Sequence, residues 1–199
     1  RKGDTRAALA VARSIDRAKL PAADQLNLDL FKRKLELEQA GNEFPSHLLV
    51  ISQMDGIQRG VASMLRMMPA RKVADYENIL ARLRGTETLV AQTIDLLNVG
   101  LKMRITPPKI CLRNLGEQVA KPLTAKPLDS PLLQTFRDFP ASVSEADQTR
   151  LRAEAIAVYK KHTAPAFRRL HNFLVERYIP NCRESIACGA LPNGKAWYQ

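Results

Sequence analysis

The chain has 199 residues, of which 45% are apolar and 26% charged, with 31 Lys and Arg against 20 Asp and Glu. This is the composition of a chain that buries a core, which excludes a disordered segment. Its longest apolar runs, such as Leu48 to Ile51, fall far short of the roughly 20 residues that cross a bilayer as a helix, so a helical membrane span is excluded too.

Thr5 to Ala18, rich in Ala, Arg and Leu, predicts a first helix. Pro21 to Ala40 predicts a second, with Leu26, Leu30 and Leu37 on one stripe widened by Leu28, Phe31 and Leu35. Pro21 suits its first turn and Gly41 the position past its end. An irregular stretch follows, then Leu48-Leu49-Val50-Ile51, a strand or a buried extended piece; periodicity does not separate the two. Ile57 to Met68 is helical in pattern and Pro69 stops it. Met64, Met67 and Met68 read as core filler. Tyr76, Ile79, Leu80 and Leu83 predict a helix ended by Gly85, and Val90, Ile94, Leu97 and Leu101 another, capped by Thr86.

Thr106-Pro107-Pro108 reads as a cap and helix-starting prolines for a segment through Ala120. Four prolines (Pro122, Pro127, Pro131 and Pro140) then mark a connection over about 121–143 that regular helix cannot occupy. Ser144 and Asp147 have capping-box spacing and launch the longest helical pattern, through Leu151, Ala155, Val158, Phe167, Leu170, Phe173, Leu174 and Tyr178. Pro165 lies inside it, where its ring would clash with the Lys161 carbonyl, and predicts a kink or break. The reading is all-α: one helical region over 1–199, about seven helices, with a long kinked helix near the C-terminus. The opening at Arg1 without Met, and an end that looks like the start of a structured segment, are read as marks of a longer protein.

No catalytic constellation can be assembled. His47, His162 and His171 lack the three- or four-residue spacing that sets two imidazoles on one helical face around a metal. There is no Gly-x-Ser-x-Gly turn and no Gly-rich loop ending in Lys-Ser/Thr. Glu36 and Glu38, two apart, point away from one another on a helix. Cys111, Cys182 and Cys188 are odd in number, which argues against a disulfide framework. The net charge of +11 opens an alternative, a basic module binding nucleic acid or an acidic protein partner. The basic residues are nevertheless scattered, with Lys32-Arg33-Lys34 the one triple, and this favours a solvated surface.

Several segments in succession carry a family resemblance: Gln53-Met54-Asp55-Gly56-Ile57, Asp75 through Leu83, Gly100 through Pro108, Ser130-Pro131-Leu132, Ala164 through Leu170, and Gly189 through Tyr198. Together they resemble the N-terminal half of a bacterial family, domain of unknown function 885 (DUF885), which is similar to zinc-dependent peptidases of the gluzincin type. The resemblance implies a larger helical, zincin-like parent whose zinc ligands lie beyond residue 199. No cofactor is then expected in this chain, zinc is expected in the parent, and no catalytic or metal residue falls on a position here. It also implies short peptides as the parent's substrate, the remainder of the parent as this chain's partner, and export to the bacterial envelope or periplasm. Trp197 and Tyr198, large aromatics at the edge of the chain, are the residues expected to line the parent's cleft.

Overall fold

The computed structural model describes residues 2–198, and the side chains of Lys2 and Tyr198 lie outside that description. Among the described residues there are eight α-helices joined by short 3-10 and π segments, no strand, and a single isolated bridge between Pro108 and Arg183. The all-α reading is correct. The chain divides into two compact units, Arg1–Ser46 and His47–Gln199.

The first unit is a hairpin of α1 (Lys2–Ser14) and α2 (Ala22–Gly41). Asp16 turns the connection by accepting a hydrogen bond from the Ala18 N–H at 3.1 Å. Arg17 holds both oxygens of Asp29 at 3.1 and 2.9 Å. The small core is Leu9, Ala12, Leu28 and Leu35. This corrects the expected stripe: Leu26, Leu30 and Leu37 are 59%, 60% and 55% exposed. Leu28 lies two residues from Leu26, about 200° around the helix, so α2 carries two apolar faces. Helix α1, the other member of the hairpin, covers one of them.

The second unit contains α3 (Ile57–Met67), α4 (Val73–Lys102), α5 (Leu115–Ala120), α6 (Glu145–Val158), α7 (Ala164–Asn172) and α8 (Gly194–Tyr198). The expected break at Gly85 does not occur, and α4 runs unbroken for 30 residues. A glycine in a helix interior costs only about 1 kcal/mol, less than the burial of Leu83 and Val90 on either side, both 0% exposed, returns. Thr86 is not a cap. It is 2% exposed, and its hydroxyl donates to the Leu83 carbonyl at 2.6 Å and lies 3.3 Å from the Thr163 hydroxyl. Asp75 caps α4 instead, accepting from the Arg71 and Lys72 N–H groups at 2.9 and 3.2 Å.

Thr106 also differs from expectation. It precedes a 3-10 turn (Lys109–Leu112) rather than α-helix, and its hydroxyl accepts the Arg183 N–H at 3.1 Å. The proline-rich connection forms two 3-10 turns, Pro127–Asp129 and Pro131–Phe136, that carry Leu132, Leu133 and Phe136 into the core. Ser130, fully buried, donates to the Pro122 carbonyl at 2.9 Å, and Tyr159 donates to the same oxygen at 2.6 Å.

Ser144 caps α6 as its spacing predicts, accepting from the Asp147 N–H at 3.2 Å. From Glu145 to Asn181 the chain is one helical run with two π segments, Tyr159–Thr163 and Phe173–Tyr178. The first is the answer to Pro165. Its bonds reach one residue further back, Ala164 N–H to the Tyr159 carbonyl, and the widened turn absorbs the ring and its missing N–H without ending the helix.

Candidate functional site

Segment 52–58 leads into α3, and several of its polar groups hold its shape. The Ser52 hydroxyl accepts the N–H groups of Met54 and Asp55, both at 3.1 Å. The Gln58 amide donates to the Ser52 carbonyl at 2.8 Å, and Gln118 on α5 donates to the Gln53 carbonyl at 3.0 Å. The Gln53 N–H donates to the Cys111 carbonyl at 2.9 Å. Gly56, at φ 140° and ψ 178°, is the bend that lets Gln58, 6% exposed, fold back over it. Gln53, in the first of the segments that carry the resemblance, is thus held through its backbone to Cys111 and Gln118.

Beside this turn lies an apolar groove of about 310 Å³, lined by Val50, Gly56, Ile57, Gly60, Val61, Met64 and Leu89. Gly60 adds no side chain, and a Cβ built there meets nothing within 4 Å. The α4 face continues beyond Leu89 through Leu96, Val99 and Met103, which are 37–50% exposed. Their spacing of seven, three and four keeps all four on one stripe. The sequence reading found the buried stripe of α4 and missed this one; residues spaced seven, three and four apart were its only signal. The methionines expected to fill the core divide. Met68 does pack on the core, but Met64 is 36% and Met67 80% exposed. A polar depression adjoins the groove through Gly60 and is lined by Met54, Asp55, Gln58, Arg59, Ser63 and Arg66 among others.

The histidines stay apart. His162 Nδ1 lies 3.0 Å from Glu87 Oε2 on α4, and His171 Nδ1 lies 3.3 Å from the side chain of its neighbour Asn172. Among the described residues no three His, Cys, Asp or Glu side chains converge as metal ligands would. These residues therefore do not supply the ligand set of a zinc site.

All three cysteines are free thiols in different settings: Cys111 half-buried, Cys182 buried and Cys188 exposed. Burial pushes the Cys182 thiol up to about 11. The thiolate is the reacting species, and this rise keeps Cys182 almost wholly protonated near neutral pH. With iodoacetamide on the native protein, peptide mass spectrometry is expected to find Cys188 modified at least ~30-fold faster than Cys182. Equal rates would show that the second unit opens on the labelling timescale.

Trp197 lies half-buried on α8, its N–H donating to the Asn193 carbonyl at 3.1 Å. The side chain of Tyr198 lies outside the described residues. Asn193, at φ 59°, and the buried Gly194 form the turn before this helix.

The sequence model of a family described as "Bacterial protein of unknown function (DUF885)" matches residues 1–199. No curated protein matches the chain. A solved crystal structure, described as "the putative lipoprotein from Colwellia psychrerythraea", superposes on all of this chain with a TM-score of 0.87 at 14% identity. The chain spans 36% of the length of that structure.

Proposed function

The chain belongs to the bacterial DUF885 family, and from that premise we propose that it is the noncatalytic helical portion of a longer zinc-dependent peptidase-like protein. One observation carries the reading: the whole chain superposes on about a third of a longer polypeptide. Its role there is shape. The bonds that Gln58, Gln118, Ser130, Thr163 and Tyr159 make are directed at backbone carbonyls, which stiffens a wall rather than presenting reactive groups. Zinc and the general base belong to the remainder of the parent, and short peptides are the substrates that the walled cleft admits. Trp197 and Tyr198 are proposed as residues that line it. The solved neighbour is described as a lipoprotein, and this chain is accordingly assigned to the bacterial envelope.

The test compares the 199-residue chain with the longer polypeptide encoded in frame with it. Elemental analysis is expected to give about one zinc per longer chain, and a short-peptide library is expected to be cleaved by it and left intact by the 199-residue chain. A longer polypeptide that holds no zinc and cleaves nothing would end the peptidase reading. Cleavage by the 199-residue chain would end the noncatalytic one.

A further inference from the structure

We infer that the apolar groove between α3 and α4 is the seat of an amphipathic helix supplied by the remainder of the longer polypeptide, an inference that rests on the reading above. The groove is built for an apolar occupant. Val50, Ile57, Val61, Met64 and Leu89 line it, and the exposed stripe on α4 prolongs it through Leu96, Val99 and Met103. From residue 89 to residue 103 the helix rises about 21 Å, the length of a four-turn helix laid alongside. Exposed apolar residues scattered singly need no partner, but a contiguous row leading out of a groove marks a contact surface.

Gly60 shapes the fit. With no side chain and open space above it, it allows a partner backbone to come close to α3, as small residues do where helices pack tightly. On the far side of Gly60 the polar depression presents Arg59 and Arg66, which have no carboxylate partner among the described residues, beside Asp55, whose carboxylate accepts the Gly56 N–H at 2.8 Å. An occupant with an apolar face and carboxylates along one shoulder satisfies both surfaces.

A second copy of this chain is a poorer occupant. Residues 47–199 hold 22 Lys and Arg against 13 Asp and Glu, so a symmetric pair would set one basic surface against its double. The longer polypeptide is the better source, because the same fold in the Colwellia structure makes up 36% of a single chain and leaves roughly two thirds of it to cover such faces.

The experiment introduces Gly60→Cys and follows maleimide labelling at position 60 by peptide mass spectrometry, in the 199-residue chain and in the longer polypeptide. Labelling is expected to be at least ~30-fold slower in the longer polypeptide while it remains monomeric. Equal rates overturn the inference; if that same polypeptide still binds zinc and cleaves peptides, the functional reading survives it. Protection that appears in the 199-residue chain and grows with its concentration also overturns the inference, in favour of a second copy. A second variant reads the same surface through stability. Gly60→Leu is expected to leave the melting temperature of the 199-residue chain unchanged or higher, and to lower that of the longer polypeptide by several degrees. An equal rise in both would overturn the assignment.

Discussion

Replacing Gly56 by Ala is expected to destabilise residues 47–199 by about 3 kcal/mol or more, with a fall in melting temperature on the order of 10 °C. Gly56 has φ 140° and ψ 178°, a region open essentially to glycine alone, and forcing an L side chain there costs about 1–3 kcal/mol. The methyl group adds to this. A Cβ would lie 2.3 Å from Gln58 Oε1 and 2.8 Å from Ile51 Cγ1, so the Gln58 side chain must shift and strain its part-buried bond to the Ser52 carbonyl, and a hydrogen bond of this kind contributes about 1 kcal/mol. Trp197 is the single tryptophan of the chain and belongs to this unit, so its fluorescence during urea unfolding reports the effect. A loss below 1 kcal/mol would mean that the turn relaxes around the methyl group.

The second large effect is expected of Phe136→Ala. Phe136 lies in the proline-rich connection yet is 0% exposed, with its ring 5.6 Å edge-on from Tyr76 and 6.4 Å from Phe139. Truncating a buried phenylalanine leaves a cavity as well as removing burial and costs about 3–5 kcal/mol. Leu26→Ala in α2 is the contrast: that side chain is 59% exposed, and the change should fall within about 0.5 kcal/mol. The paired measurement by urea unfolding separates a connection that is core from a stripe that is bare. A small loss for Phe136→Ala would show that the connection can peel away while the helices remain.

Much of this arrangement was legible beforehand. The cap at Ser144, the stop before Pro69, and the apolar rows of Val90–Leu101 and Leu151–Tyr178 all rest on interactions within four or five residues, and local physics decides them. Gly85 was misread because a helix-breaking propensity of about 1 kcal/mol was weighed without the burial on both sides of it. The fate of Thr106 depends on Arg183, 77 residues away. The candidate groove was illegible for a similar reason: Met64, Leu89 and Leu96 look no different in sequence from the leucines that are buried.

The sequence by itself determined that the chain is helical, roughly where its helices start and stop, and to which family it bears likeness. These follow from periodicity, caps, prolines and a succession of short segments. Only the tertiary structure decided which apolar stripe of each helix is covered, because a stripe of leucines records that a face seeks burial and not whether a neighbour reaches it. It decided, too, how the turn before α3 is held: Gln58 and Gln118 donate to the Ser52 and Gln53 carbonyls brought close by the fold, and no spacing along the chain announces those bonds.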